Sequence, residues 1–522
     1  MNFVKRALKN VTRGKTKSLL LAITFFLIGN LVIIGLGVSY ASENAKKMTR
    51  MKMKPVIKYV MDYNEWQKYL RDLTPEEQET AWQNYPQLKS SDFEAVLDNE
   101  HVEAANDIME IYGYSEGFDP IKKEADPNAQ GGVVIYDDDV VDGMDAPNPY
   151  ENREQDCRIL CNHLDNMVQI ADGTYVITSG HFYTADDIKN KRAVCLVTEE
   201  LAKQNNLTLG SHITADVAEP YIKQMLNDET INTSVEFEII GIYKNTAEVP
   251  ESESWRNQYP QYLNENIILA PDTAVKGVLV DLQNRMWDYY ASMWPEDEYY
   301  SNPENRPSEE DVYNGEKIIL LDDPLYVEEF VKINKDKLPR FTKLDANDDM
   351  FNRFAKPLDT MSLFSNIIVW IVVINAVVII TLVTALTMKN REHEIGILLS
   401  MGVSKMKVVG QLFLELAIVA IIGFTLAVAS GSLVSKKVGQ AVLDYQMETR
   451  NSEEEDFYYY GEDDYFTTIT QEDMLSEYEV KVNPVIIGEI YALGLGVVFI
   501  STLIPSFMIM RFNPKKILTD AN

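Results

Sequence analysis

Long apolar blocks alternate with acid-rich stretches along the chain. The blocks are Ser18–Tyr40, Met361–Met388, Val408–Ser435 and Pro484–Met510; the first two carry no charged residue, the third only Glu415 and the fourth only Glu489. Each is longer than the roughly 20 residues a helix needs to cross a hydrocarbon layer ~30 Å thick, so the pattern predicts four transmembrane helices. The second and third blocks are separated by a charged connector too short to hold a domain. It is expected at one membrane face, as a tight turn with a short helix. The first block follows a basic leader, and Ala41-Ser42 would be a passable cleavage site. Its apolar stretch exceeds the ~7–15 residues usual in a signal peptide, and it reads as a retained span.

Charge orients the spans. Met1–Lys17 carries six basic residues and no acid, with Phe3, Val4, Ala7, Leu8 and Val11 on one helical face. This predicts an interfacial amphipathic helix held on anionic membrane lipid. The positive-inside rule is ambiguous at the first span, because Lys46, Lys47, Arg50, Lys52, Lys54 and Lys58 follow it. The connector (Lys389, Arg391, Lys405, Lys407) and the tail (Arg511, Lys515, Lys516) decide: they and both termini are expected in the cytosol of a multi-pass plasma or inner membrane protein. The predicted division is 1–17 amphipathic helix, 18–41 first span, 42–360 extracytoplasmic domain, 361–388 second span and 389–407 coupling loop. It continues with 408–435 third span, 436–483 acidic extracytoplasmic loop, 484–510 fourth span and 511–522 tail.

The 522 residues have a formal net charge of −32, while the mean hydropathy of −0.18 resembles that of a soluble protein. The average conceals the segregation of apolar spans from acidic outer segments. Asp137–Asp139, Pro295–Glu316 and Glu453–Asp464 are acid-rich and read as solvated loops, with capture of cationic peptides or divalent cations as the functional alternative. Cys157, Cys161 and Cys195 are too few for a disulfide framework and show no zinc spacing. They read as free, partly buried thiols, with a bridge between two of them left open.

The first outer segment reads as α+β. Thr74-Pro75-Glu76-Glu77 and Ser91-Asp92-Phe93-Glu94 begin helices. Val194–Val197, Ser234–Tyr243 and Lys317–Leu321 read as strands, and Leu325–Asn334 as a helix. Catalytic motifs are lacking. There is no phosphate-binding Gly-x-x-x-x-Gly-Lys-Ser/Thr and no His-Glu-x-x-His, and the five His are dispersed. One Gly-x-Ser-x-Gly, Gly113–Gly117, runs into Phe118-Asp119-Pro120, which reads as a loop where a nucleophile elbow needs a helix. The chain reads as a non-enzyme with no metal site and no cofactor of its own.

Glu394-Ile395-Gly396-Ile397-Leu398, then Met401-Gly402, Ser404 and Glu415 within the next helix, resembles the signature of FtsX/MacB-like ABC transporter permeases. Leu399 stands where that family usually has Arg, and His393 where Arg or Lys is common. Gly180-His181-Phe182, Asp187, Ala193–Val197, Leu201-Ala202, Leu209–Ile213 and Phe237–Tyr243 resemble, in that order, the periplasmic core domain of MacB-like permeases, with His181 replacing an Arg. The tail Ile504–Leu518 is a third similarity.

The resemblance implies a membrane protein with four transmembrane α-helices and a large α+β extracytoplasmic domain between helices 1 and 2. It implies a mechanotransmission permease whose energy comes from ATP-Mg on a partner, a dimer of cytosolic ABC ATPase subunits. A second FtsX-like permease, the same or a related chain, would pair with it. Arg391, Glu392, Glu394, Ile395, Gly396, Gly402 and Ser404 are the expected ATPase-coupling residues. Gly402 is expected to end the connector helix in a left-handed conformation. Glu415 is an intramembrane acid expected to accept hydrogen bonds from a neighbouring helix or from the Lys/Arg-rich inner surface. Glu489 is expected to be solvated near the outer interface. The function implied is export or extraction of a peptide, toxin or lipid-linked substrate; the alternative is a signalling subunit that controls a cell-wall hydrolase or a sensor kinase. An extracytoplasmic adaptor or a cationic peptide is a further candidate partner; nucleic acid is not.

Overall fold

Each apolar block is a helix, and some of these helices outrun the block. The computed structural model describes residues 3–83, 85–123, 155–218, 220–226, 231–247, 259–312, 315–346, 348–451, 478 and 480–511. In chain order the elements used below are α1 (Phe3–Arg13), α2 (Lys15–Lys52), β1 (Val56–Met61), α3 (Tyr63–Arg71), α4 (Pro75–Gln83), α5 (Ser90–Leu97), β2 (Val102–Glu116), β3 (Cys157–Asn162), β4 (Tyr175–Gly180), β5 (Val194–Thr198), β6 (His212–Asp216), β7 (Ser234–Asn245), β8 (Ile267–Pro271), α6 (Thr273–Met293), β9 (Glu316–Leu321), α7 (Val327–Asn334) and β10 (Thr342–Asp345). They continue with α8 (Asp348–Asn390), α9 (Glu392–Ser400), α10 (Lys405–Asn451) and α11 (Pro484–Arg511). Two compact units result: Met1–Met53 with Asp348–Asn522, and Lys54–Asn347.

In the helical unit, four helices among the described residues are long and apolar enough to cross a membrane: Lys15–Lys52, Ala355–Asn390, Lys405–Gly431 and Pro484–Phe507. Lipid supplies no hydrophobic drive between spans, so close association depends on small residues. Gly423, Ala427 and Gly431 form such a stripe on α10 against Phe25, Gly29 and Ile33 of α2. A Cβ on Gly423 would lie 2.6 Å from Phe25 Cβ and 2.9 Å from the Ala22 carbonyl oxygen; one on Gly29 would lie 2.7 Å from Ala427 Cβ. Because both series rise together, α2 and α10 run parallel. The hydroxyls of Ser39 and Ser362 meet at 2.9 Å between α2 and α8.

The boundaries differ from those read in the sequence. Helix α2 continues to Lys52 and α8 begins at Asp348, so the units divide at Met53/Lys54 and Asn347/Asp348 instead of 41/42 and 360/361. Packing carries the helices past their apolar blocks: Val38, Ala41, Ala45 and Met53 bury against Phe351, Ala355, Leu358 and Met361. The basic residues that blurred the charge rule are used here. Lys46 pairs with Asp359, and the Arg50 guanidinium lies 5.1 Å from the centre of the Phe351 ring. Helix α10 likewise continues to Asn451, so the first part of 436–483 is helix and not loop. The acidic tracts at 137–139 and 453–464 lie outside the described residues.

The Lys54–Asn347 unit is built on one mixed sheet, in the order β10-β1-β9-β2-β3-β8-β5-β7-β4, with β6 paired to β2 and β7. The pairs β3–β8 and β5–β7 are parallel. One core lies among β3, β5, β7 and β8 (Ile159, Cys195, Val197, Phe237, Ile239, Ile268), and another joins β1, β9 and β10 to α5 and α7 (Ile57, Tyr59, Phe93, Ile319, Phe330). Helix α4 starts as its sequence predicts: the Thr74 hydroxyl accepts from the Glu77 amide, and the Glu77 carboxylate accepts from the Thr74 amide. All three cysteines are free and buried, and burial pushes the Cys157 thiol up to about 12. Gly113 and Ser115 lie within strand β2, so the Gly-x-Ser-x-Gly run begins in sheet and is no strand-to-helix elbow. The described part of Pro295–Glu316 is folded, contrary to the loop reading, because Tyr299 and Tyr300 pack on Trp287 of α6 and Arg306 pairs with Asp288.

Strand β2 joins the two cores, and it does so across a buried charge pair. Asp107 and Lys317 stand opposite each other in the β2–β9 register, 3.1 Å apart, with side chains 1 % and 0 % exposed. Burial lowers the Lys317 pKa, and the Asp107 carboxylate opposes that shift. Removing one partner strands the other charge; Asp107→Asn is expected to cost about 3–5 kcal/mol. Replacing both residues with apolar ones of similar size (D107L/K317M) should recover most of this. Denaturant unfolding of the purified full-length protein, followed by tryptophan fluorescence, checks both. A single variant as stable as the parent contradicts the assignment.

Candidate functional site

The connector is a short helix clamped at both ends. Arg391 occupies the N-cap of α9, and its carbonyl accepts from the Ile395 amide at 3.0 Å. At the other end Gly402 adopts φ +83°, its amide donates to the Leu399 carbonyl, and the Val403 amide donates to the Leu398 carbonyl, each at 3.1 Å. This paired closure is the Schellman arrangement, which favours a glycine at the left-handed position. Ser404 begins the next helix: its carbonyl accepts from Lys407 and Val408.

One face of α9 is fastened to the spans. Ile395 is buried with Met388 of α8 and with Val408 and Leu412 of α10; Leu399 and Val403 pack against the same cluster. Leu399, where the related permeases usually carry Arg, therefore does apolar packing. Gly396 is buried on this face, and the Ser400 hydroxyl donates to its carbonyl at 2.9 Å. Glu392 is half-buried, whereas His393, Glu394, Gly402 and Ser404 are exposed. The connector also exposes apolar side chains: Ile397 on the opposite face of α9, Met401 just past its end and Met406 at the start of α10 are 42, 66 and 70 % exposed. Sequence reading had singled out none of these three as contacts. The available signal was that Ile395, Ile397, Leu398 and Leu399 are more apolar side chains than one buried face of so short a helix takes up.

Arg391 does not point outward as a docking charge. Its Nε donates to Glu394 at 3.0 Å and its Nη1 to Glu415 at 2.9 Å. Glu415 also accepts from Asn10 Nδ2 at 2.7 Å and from Gln411 Nε2 at 3.0 Å, both on Oε1. A carboxylate inside an apolar helix is costly unless satisfied, and here donors from α1, from the α8–α9 turn and from α10 converge on it. Glu489, expected to be solvated, is half-buried and accepts from the Tyr40 hydroxyl at 2.6 Å.

Three donors on two oxygens set the outcome of substitution. An amide offers one acceptor oxygen and turns its NH2 toward a donor, so Glu415→Gln should lose one charge-assisted bond, roughly 1.5–3 kcal/mol. Glu415→Leu strands Arg391, Asn10 and Gln411 together and should assemble worse than Gln. Thermal unfolding of the purified protein ranks the three forms. Equal stability of Leu and parent would remove Glu415 from this role.

Residues 366–514 match the family model described as FtsX-like permease C-terminal. Over 534 aligned residues, covering 99 % of both chains, the chain is 25 % identical to the uncharacterized ABC transporter permease YclI of Bacillus subtilis (strain 168). Among solved structures, the periplasmic region of MacB from Actinobacillus actinomycetemcomitans aligns with 56 % of this chain and 90 % of its own, at 9 % identity and a TM-score of 0.28. The extracellular domain of the noncanonic ABC-type transporter YknZ from Gram-positive bacteria aligns with 55 % and 98 %, at 8 % identity and a TM-score of 0.26. The family match and the full-length relative agree with the connector motif: the chain is similar to the FtsX/MacB-like ABC transporter permeases, and its long apolar helices fit a multi-pass membrane protein.

Proposed function

We propose that this permease couples ATP hydrolysis on a separate pair of ATPase subunits to movement of its Lys54–Asn347 unit, for export or extraction of a peptide, toxin or lipid-linked substrate. The observation that carries the reading is the two-faced connector. Helix α9 buries Ile395 between the ends of α8 and α10 and exposes Ile397 on its other side, with Met401 exposed just past its end and Met406 exposed at the start of α10. A partner that pushed on the exposed face would move two spans at once. Those spans are parts of one packed bundle, and α2 and α8 flank the Lys54–Asn347 unit in sequence. On this reading ATP-Mg binds the partner, a second FtsX-like permease completes the membrane part, and Glu392, Glu394, Gly402 and Ser404 belong to the docking segment. Arg391 positions the segment; Ile395 and Gly396 anchor it.

Orientation is part of the proposal: both termini and α9 in the cytosol, 42–360 and 436–483 outside. The native cysteines are buried, so they can stay in place while single cysteines are introduced at exposed sites. Ser301→Cys should react with a membrane-impermeant maleimide in intact cells, and Ser404→Cys only after permeabilisation. Labelling of the second variant from outside reverses the orientation.

Coupling is tested at two positions away from the buried contacts. No atom lies within 4 Å of a Cβ built on Gly402, so the cost of Gly402→Val comes from its positive φ alone, roughly 1–2 kcal/mol. Glu394→Lys places a like charge beside Arg391. Both variants should insert and assemble with full stoichiometry yet lose most substrate-stimulated ATP hydrolysis when the complex is purified in lipid. Full stoichiometry with full stimulation in both would reduce the connector to a turn.

A further inference from the structure

The end of the helical unit that holds Glu415 also holds a cavity of about 380 Å3. Its lining is mixed: Leu21, Leu412, Leu416 and Val419 supply an apolar part beside Ser18, Thr384 and Thr387, and Arg13, Lys17 and Arg391 supply the cations. Two carboxylates, Glu394 and Glu415, line it as well, and Arg391 engages both. Arg13 and Lys17 have no ion pair among the described residues, and neither does Arg391 Nη2 have a recorded hydrogen bond there. Two cations and one free edge of a guanidinium therefore converge beside the apolar part of this lining.

The position says what would match them. Arg13 ends α1, a helix with exposed Val4 and Leu8 as well as exposed Lys5 and Lys9, which suits the membrane interface. Lys17 and Arg391 sit where charged helix ends give way to apolar spans. A phosphate is the anion a guanidinium fork and an ammonium hold well together, and basic pockets between spans are suited to anionic headgroups. A free phosphate would answer the cations but leave Leu21, Leu412, Leu416 and Val419 facing water. We propose that this cavity is a discrete site for one anionic phospholipid, with its phosphate on Arg13, Lys17 and Arg391 Nη2 and its glycerol and first acyl carbons along the apolar part of the lining. The proposal requires neither the ATPase nor the orientation given above. It goes beyond diffuse attraction of α1 to a charged surface, because it names the residues that bind and others, equally basic, that do not.

The experiment uses the full-length protein in neutral detergent, with native mass spectrometry to count retained lipid and thermal unfolding to check the fold. Phosphatidylglycerol should be retained at one molecule per chain in preference to phosphatidylcholine. R13Q/K17Q should lower that retention about tenfold or more while unfolding at the parental temperature without lipid. The charge-keeping R13K/K17R should retain it, and K5Q/K9Q, which removes two charges from α1 away from the cavity rim, should leave it near the parental level. Inorganic phosphate at the same concentration should not displace the lipid. Equal loss in K5Q/K9Q overturns the site in favour of diffuse electrostatics. Displacement by inorganic phosphate overturns the lipid assignment in favour of a free anion, and unchanged retention in R13Q/K17Q overturns the proposal outright.

Discussion

A carboxylate two turns inside an apolar helix must be satisfied where it stands, and one end of the helical unit is arranged around that requirement. Glu415 draws Asn10 from α1, Arg391 from the turn before α9 and Gln411 from its own helix. Each contact fixes more than the acid. Arg391 is also the N-cap of α9, so the bond that neutralises Glu415 sets where the connector helix begins. Asn10 holds α1 against α10. The desolvation cost of the acid is thereby converted into positional order for α1 and for the start of α9.

The helical unit and the Lys54–Asn347 unit are held by different physics. Sheet strands bury Ile, Val, Leu and Phe out of water, and the hydrophobic effect supplies the drive. Spans surrounded by lipid gain nothing from hiding apolar surface. Their cohesion comes from close backbone approach along Gly423, Ala427 and Gly431, and from a few polar contacts such as Ser39–Ser362. A methyl group added to that stripe is a collision, whereas a methyl group added to a lipid-facing residue is nearly neutral.

Much of this was legible in the sequence where the signal is local. The four blocks announce themselves by the absence of charge, Gly402 by its place after an apolar helical turn, and Thr74–Glu77 by a capping pattern confined to four residues. Glu415 could be singled out because it is the lone acid in its block, but two of its three donors lie 405 and 24 residues away, and no local pattern names those two. Arg391 was legible as a connector residue, but its bond to Glu415 was not, for the same reason. Strand β2 was missed because Asn106, Asp107 and Gly113 break the alternation of a half-buried strand; the opposing Lys317 makes Asp107 tolerable there. The ends of α2 and α8 were misplaced because hydropathy stops at Tyr40 and starts again at Met361, while Arg50 and Lys46 are polar residues whose helical state depends on Phe351 and Asp359. Val194–Val197 and Ser234–Tyr243 were legible as strands, since β5 and β7 are apolar or alternating runs.

The length of α2 has a mechanical consequence. At 1.5 Å per residue its 38 residues make a rod about 57 Å long, nearly twice a hydrocarbon layer ~30 Å thick. It contains no proline, whereas α8 carries Pro357 near its start. A stiff rod pivoting at mid-height works as a lever. A tilt of about 5° shifts each tip by about 2.5 Å over a half-length of about 28 Å, the size of displacement that separates two packed arrangements of a helix. Had the helix ended with its apolar block at Tyr40, the far arm would be shorter by twelve residues, about 18 Å, and the same tilt would move its tip correspondingly less.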